Sequence, residues 1–372
     1  MTLSSLLFPA IAAVALAILA CAHWFLYFSM TRLFHIAKRR WKIAVALCLI
    51  ALTASYFASS ALAHWRENAW TLGAYYASGI WLGVFTNLLM AFGLAWIAVG
   101  VMKLAKKPLD RKVVGIVAIA LAILFSGYGV WNAYHPRVTR VTIDIKNLPA
   151  AWKDKTAVQI ADAHLGHVFG SAFMTDVVAT VNGLRPDIVF ITGDLFDAMD
   201  GDLASRGAPL RALTAPLGTF FVTGNHETYL GVAQAEAALK GTGVKILNDA
   251  LVNIDGLQIL GISYPERLET KDVAGVIAKS GRDPSQPTIL LYHSPTHVED
   301  ARAAGIDVQL SGHTHEGQIF PFRLFTYLIY HGLDYGLHRM GDFTLYTSSG
   351  VGAWGPTMRT GSRPEIVLIT FE

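Results

Sequence analysis

Cysteine is nearly absent: only Cys21 and Cys48 occur in a chain of 372 residues. Both precede Leu49, so the rest of the chain can form no disulfide and offers no thiolate to a metal. Charge is scarce as well. Asp, Glu, Lys and Arg make up 15% of the chain and hydrophobic residues 53%, whereas an average globular protein is about 25% charged. That balance excludes intrinsic disorder, which needs low hydrophobicity and high net charge, and it is unlike an ordinary soluble enzyme. Acidic residues are almost missing from the first part. Residues 1–135 hold 11 Lys and Arg against only Glu67 and Asp110, for a net of +9. Residues 136–372 hold the other 19 basic residues against 25 acids, for a net of −6. The overall +3 is the remainder of two opposite halves and says little about nucleic acid.

What the first half has instead is four long stretches free of formal charge: Met1–Thr31, Ile43–Trp65, Asn68–Met102 and Val113–Tyr134. Each exceeds the roughly 20 apolar residues needed to cross a hydrocarbon core. A chain in that core must satisfy its own backbone hydrogen bonds, so residues 1–135 are predicted to form a transmembrane region of four helices, at about 3–30, 43–65, 75–102 and 113–134. Residues 68–74 are expected to lie at the membrane interface. No basic segment precedes the first apolar run, which argues against a cleaved signal peptide. Cys21 and Cys48 read as small packing residues. The first loop carries Arg32, Lys38, Arg39, Arg40 and Lys42, and the third carries Lys103, Lys106, Lys107, Arg111 and Lys112. The positive-inside rule places both loops in the cytoplasm. The expected protein is therefore a multi-pass protein of the cytoplasmic membrane, with both termini and everything after Tyr134 on the outer side. Trp65, Trp70, Trp131 and Tyr134 sit where an outer aromatic belt is expected.

After His135 the pattern changes. Short Val-, Ile- and Phe-rich runs alternate with helical stretches, the signature of βαβ units, so residues 136–372 are predicted to form one α/β domain. Strands are expected at Val138–Ile145, Thr156–Ala161, Asp187–Thr192, Gly218–Thr223, Leu257–Ile262, Thr288–Tyr292, Val308–Leu310, Phe343–Thr347 and Ile366–Phe371. Helices are expected at Ser171–Leu184, Leu203–Leu213, Leu230–Leu239, Lys271–Lys279 and Pro295–Ala303.

Ligands of open α/β sheets bind beyond the carboxyl ends of strands, and the polar residues concentrate there. The blocks in order are Asp162-Ala163-His164, Gly193-Asp194-Leu195-Phe196-Asp197, Gly224-Asn225-His226-Glu227, His293, and Gly312-His313-Thr314-His315. A single histidine or Gly-Asp pair would read as a core residue or a turn. Five such blocks, each ending an apolar run, point to a metal centre. Imidazole and carboxylate donors suit Mn, Fe or Zn.

This series, D-x-H, G-D-x-x-D, G-N-H-E, H and G-H-x-H, resembles the calcineurin-like metallophosphoesterases, from about Val138 onward. The G-H-T-H-x-G-Q form and the closing Arg363-Pro364-Glu365-Ile366 resemble the bacterial membrane-anchored subgroup. The resemblance implies a four-layer α/β/β/α sandwich with two divalent ions, of unspecified identity, at its top. It implies one ion held by Asp162, His164, Asp194 and His315, and a second by Asp194, Asn225, His293 and His313, with Asp194 as the bridge. A hydroxide between two such ions is the expected nucleophile. His226 is implied to contact the phosphoryl group and to protonate the leaving group. Asp197 and Glu227 read either as orienting residues behind the ligands or as plain turn residues. His167 is a further candidate for facing substrate. Glu316 departs from the subgroup, which commonly has Gly after the paired histidines; it is either a loop residue or an extra carboxylate that narrows substrate choice.

The apolar segment 319–331 is too short to span a bilayer at helical rise. It reads either as a core element or as a lip beside the metals that meets membrane lipid. The implied activity is a metal-dependent phosphoesterase, on monoesters or diesters, with a lipid, cell-envelope or small exported phosphoester as substrate. A non-catalytic membrane sensor that keeps the fold is the alternative. Nucleic acid is disfavoured as a partner, since the second half is acidic and shows no basic stripe.

Overall fold

The structure, a computed structural model, describes residues 3–198, 201–266 and 270–372; Met1 and Thr2 of the first apolar stretch lie outside them. The chain forms two compact units, Met1–Tyr128 and Gly129–Glu372.

The first unit consists of helices α1 (Leu3–Leu33), α2 (Arg39–Trp65), α3 (Ala69–Leu104) and most of α4 (Arg111–Ala133). All four are long and apolar enough to cross a membrane. The expectation that residues 68–74 lie outside the third helix is corrected. The Asn68 side chain accepts from the Trp70 and Thr71 amides, and the Thr71 hydroxyl accepts from the Asn68 amide. This capping box starts α3 at Ala69 and satisfies donors that would otherwise be orphaned. The few polar groups inside the unit pair across helices. His23 Nε2 lies 3.0 Å from Thr53 Oγ1, the Ser59 and Ser78 hydroxyls are 2.7 Å apart, and Asn87 donates to Ser126 at 2.8 Å. Such bonds favour helix association in an apolar medium. A cavity of about 880 Å³ lies within this unit, lined by residues such as Trp41, Cys48, Trp81 and Phe92. It is apolar and far in character from the ligand blocks.

The second unit opens with the last turn of α4 and runs β1 (Arg137–Ile143), β2 (Thr156–Ile160), α5 (Ser171–Leu184), β3 (Ile188–Thr192), α6 (Leu203–Gly207), β4 (Thr219–Val222), α7 (Asn225–Leu230), α8 (Val232–Ala238), β5 (Val244–Ile246), β6 (Ala250–Ile254) and β7 (Leu257–Ile262). It continues with α9 (Val273–Lys279), β8 (Thr288–Tyr292), α10 (Val298–Ala303), β9 (Val308–Ser311), α11 (Phe322–Ile329), β10 (Gly336–Met340), β11 (Phe343–Thr347) and β12 (Glu365–Phe371). Two six-stranded sheets result, ordered β1-β12-β2-β3-β4-β5 and β10-β11-β9-β8-β7-β6.

The layers follow from strands that are apolar on both faces. On β3, Ile188 and Phe190 turn toward the other sheet, where they join Ile289 and Leu291 of β8 in one buried core. Their neighbours Val189 and Ile191 turn outward to Met174, Val177 and Val181 of α5. Leu290 and Tyr292 of β8 likewise meet Val273 and Ile277 of α9 and Ala301 of α10. The domain is therefore an α/β/β/α sandwich.

Three strands escape the sequence pattern. β5 is only three residues long. β6 is joined to β7 by Asp255-Gly256, both at positive φ (50° and 88°), which is tight-hairpin chemistry. β10 is a half-buried edge strand of mixed residues joined to β11 by Gly341-Asp342. The expected helix 203–213 tightens into a 3-10 turn at Ala208–Ala212 around Pro209, and the expected helix 230–239 is broken at Gly231.

Candidate metal centre

The parallel strands β2, β3 and β4 of one sheet and β8 and β9 of the other deliver the ligand blocks to one edge of the sandwich. Beyond the strand ends the loops stay paired. The Asp162 amide donates to Gly193 O at 3.1 Å, His164 to Asp194 O at 3.0 Å, and Gly312 to His293 O at 2.8 Å. Five of the candidate ligand residues adopt left-handed backbone: Asp162, His164, Asp194, His313 and His315, with φ of 52°, 47°, 50°, 77° and 51°. Non-glycine residues rarely do so, and when they cluster the strain accompanies a site. Gly224 lets these loops close up. A Cβ there would lie 2.2 Å from Asp194 Oδ1.

The side chains converge in three overlapping groups; one joins His164, Asp194 and His226, and the other two are nests of candidate ligands. In the first, Asp162, His164 and His315 present donor atoms within 4.8 Å of one another; His164 Nε2 faces His315 Nε2 at 3.0 Å, and His315 Nε2 lies 3.5 Å from Asp162 Oδ1. In the second, Asp194, His293 and His313 do the same. His293 Nε2 is 3.2 Å from Asp194 Oδ2, 3.1 Å from Asn225 Oδ1 and 3.1 Å from His313 Nδ1. Asp194 Oδ2 also lies 3.8 Å from His164 Nε2, so this carboxylate stands between the nests.

The donor chemistry fits divalent ions. Burial, followed by neighbouring histidines, lowers the pKa of His164 and His315 and brings His313 down to about 3. Neutral imidazoles are what a cation requires, and the Nε2 atoms of His164 and His315 point at each other. His293 differs: burial works against its charge, yet Asp194 beside it pushes it up to about 9. Its Nδ1 donates to Thr192 O at 2.8 Å, which aims Nε2 inward. Burial raises Asp162 to about 7. An apolar enclosure thus holds carboxylates and imidazoles that a cation would reconcile.

Glu227 lies fully buried and accepts from the amides of Asp194, Phe196 and Gly224 at 3.0, 2.9 and 2.7 Å. It joins two loops and supports the Asp194 backbone. Burial and Asp194 raise its pKa to about 7. His226 is held from one side by its amide, bonded to Asp194 Oδ1 at 2.8 Å, and from the other by Nδ1, 2.9 Å from Asp197 Oδ1. Its ring stands edge-on to His164, with centroids 4.5 Å apart. Burial opposes its charge, but Asp197 and Asp194 prevail and raise its pKa. His167 is buried in the turn closed by the Leu165–Phe169 bridge and is in none of the metal-capable groups among the described residues. Glu316 is buried and paired with Arg323 of α11 at 2.7 Å, so its carboxylate ties a helix to the ligand loop. Burial raises it to about 7, with Arg323 pulling the other way.

Several residues at the centre have no signal in the sequence pattern. Arg359 is fully buried; it donates to Ser349 O, Ser362 Oγ and Gly352 O, and its Nη2 lies 3.0 Å from His315 Nδ1. Only its isolation in a charge-free stretch could have marked it. Tyr264 rings His293 and His313, Tyr330 approaches His313, and Tyr229 and Trp354 approach His226, with centroids 5.6 to 6.1 Å apart.

Residues 155–317 match the family described as calcineurin-like phosphoesterase. A Bos taurus protein named "Transmembrane protein with metallophosphoesterase domain" is 33% identical over 361 residues, covering 89% of this chain and 80% of that protein. A Danio rerio protein of the same name is 29% identical over 365 residues, covering 91% and 82%. Alignments of that extent take in part of the helical first unit. An uncharacterized metallophosphoesterase of Campylobacter jejuni is 35% identical over 259 residues, covering 68% of each chain.

Proposed function

Since the chain belongs to the calcineurin-like metallophosphoesterases, we propose that it is a membrane-anchored, metal-dependent phosphohydrolase acting on a lipid, cell-envelope or small exported phosphoester. The observation that supports this reading most is the two nests of buried donors flanking Asp194. Asp162, His164 and His315 would hold one divalent ion, Asn225, His293 and His313 the other, and Asp194 would serve both. Such a pair supplies Lewis acidity and lowers the pKa of water at neutral pH.

The chain's own residues do the rest. His226, positioned by Asp194 and Asp197 and raised in pKa, contacts the phosphoryl group and delivers a proton to the leaving oxygen. Glu227 keeps Asp194 in place through backbone amides. Tyr229, Tyr264, Tyr330 and Trp354 form the walls against which the ester's organic part packs. The basic first and third loops support a domain that faces away from the cytoplasm.

The test uses the full chain purified in detergent, with metal analysis and turnover of a monoester and a diester reporter. Parent protein should carry metal and hydrolyse at least one reporter. Asp194→Asn should lose metal and activity together, activity by more than about a hundredfold, since even residues behind ligands are worth about 10–100-fold. Metal-replete protein that turns over neither would favour a sensor. For sidedness, a reporter fused after Glu372 should be active outside the cytoplasm; activity confined to the cytoplasm would reverse the orientation.

A further inference from the structure

Of the apolar segment after His315, Ile319 is buried, but the helical part is not a core element. That part is α11, and none of the residues of α11 is buried. Its faces are the reverse of those of a soluble surface helix, which turns its apolar stripe inward. Two polar residues tie it to the domain: Arg323, itself 56% exposed, pairs with Glu316 at 2.7 Å, and the Thr326 hydroxyl donates to Asp334 Oδ2 at 2.8 Å. The large apolar residues face out. Phe325 is 56% exposed, Leu328 68% and Ile329 66%, and Phe322 and Leu324 are comparable. Trp354, also more than half exposed, extends the same chemistry beside His226.

We propose that α11 is an interfacial helix that seats on a lipid bilayer surface and presents the metal centre to phosphoesters at headgroup level; this deepens the proposed function and rests on it for the substrate. Three observations select a bilayer as the occupant. The same chain carries four membrane-capable helices, and only three residues separate the end of α4 from β1. Within the second unit, the last turn of α4 is bonded to the loop that borders α11. Asn132 donates to Arg359 O and Ser362 O at 2.8 and 2.9 Å, and the Arg359 amide donates to Gly129 O at 2.8 Å. That loop is stitched in turn to the approach to α11: Gly361 N donates to Gln318 O at 2.9 Å, and Phe320 N to Thr360 Oγ1 at 3.3 Å. The outward face lies a short bonded path from the residues where the chain leaves the apolar α4. Finally, α11 carries no acidic residue that anionic lipid would repel. An amphipathic helix in that setting lies in the interface plane with its apolar side among the acyl chains.

The test places the full chain in nanodiscs of phosphatidylethanolamine and phosphatidylglycerol. In a Cys21→Ala, Cys48→Ala background, Leu328→Cys carries a bimane label. Quenching by lipid-borne nitroxide, with shielding from a water-soluble quencher, is the expected result. Quenching by the soluble agent alone overturns the proposal. Shielding from both, with a disulfide between copies in the unlabelled Leu328→Cys protein, overturns it in favour of a second copy of the chain. Activity gives a second readout. Phe325→Glu with Leu328→Glu should slow hydrolysis of a lipid-embedded phosphoester at least about tenfold, the scale of losing a few buried methylenes at the interface, while a soluble ester is turned over within about twofold. No loss, or equal loss on both substrates, counts against it. If the parent turns over neither ester, the catalytic reading fails while the quenching still decides where α11 sits.

Discussion

Asp197 Oδ1 lies 2.9 Å from His226 Nδ1 and 3.8 Å from His164 Nδ1, so one carboxylate serves both a candidate ligand and the candidate acid. Burial alone would raise Asp197, but the two histidines beside it, His226 within hydrogen-bond distance, hold it far below the usual carboxylate range. Its charge in turn keeps His226 raised against burial. A raised histidine stays protonated to higher pH, and an acid role is lost as pH climbs through that value. Asp197→Asn removes the supporting charge. The alkaline limb of the kcat/KM profile should therefore move to lower pH by about one unit, the usual reach of one close opposite charge. An unmoved limb would mean that His226 is not the group that titrates.

Metal should stabilise the second unit. Anything that binds the native state alone adds about 2.7 kcal/mol at roughly a hundredfold excess over Kd. Adding Mn or Zn to chelator-treated protein in detergent should raise its Tm, read by a probe of the α/β domain. In Asp194→Asn the increment should shrink markedly. An equal increment in parent and variant would place the stabilising ions elsewhere.

Two glycines predict opposite outcomes. At Gly224 a Cβ would meet Asp194 Oδ1 and its amide at 2.2 and 2.6 Å. Gly224→Ala should cost about 1–3 kcal/mol through overpacking and lower metal content. Gly183, inside α5, has nothing within 4 Å of the added carbon. Gly183→Ala should stabilise by about 0.5–1 kcal/mol through helix propensity. Denaturation curves with metal analysis would separate the two.

Arg359 is fully buried, and desolvation lowers its guanidinium to about 10. Its hydrogen bonds go to carbonyls, a hydroxyl and the His315 ring rather than to a carboxylate. Arg359→Ala strands these partners, and hydrogen bonds to a charged group are worth about 1.5–3 kcal/mol each. The variant should lose at least one such increment of stability and bind metal less well. Arg359→Lys should recover part of the stability but less of the metal binding, because a point charge cannot reproduce the planar fork. Equal metal affinity in all three proteins would confine Arg359 to a structural role.

The sequence made the four apolar helices and the doubly buried strands legible because each is a composition signal longer than its own noise. The ligand blocks were legible because each ends an apolar run. Their convergence was not, since β3 and β8 lie about a hundred residues apart and no local pattern says which strand ends meet. Tyr264, Tyr330 and Trp354 could not be found, as nothing in their spacing relates them to a histidine, whereas Tyr229 stands one helical turn after His226 on α7. The hairpin at Asp255-Gly256 was missed although its turn residues announce it. The start of α3 was misplaced because hydropathy weighs apolarity, whereas Asn68 and Thr71 decide the boundary by capping. Glu316 was visible as an oddity, but its partner Arg323 emerged only once α11 was in place.

Asp162, His164, Asp194, His313 and His315 occupy backbone that glycine would adopt with less strain. A lineage released from chemistry could drift to glycine at these positions and relieve backbone strain, since selection acts only on what function requires. Side chains at all five positions together are thus a record of constraint, written in a conformation no folding pressure would choose.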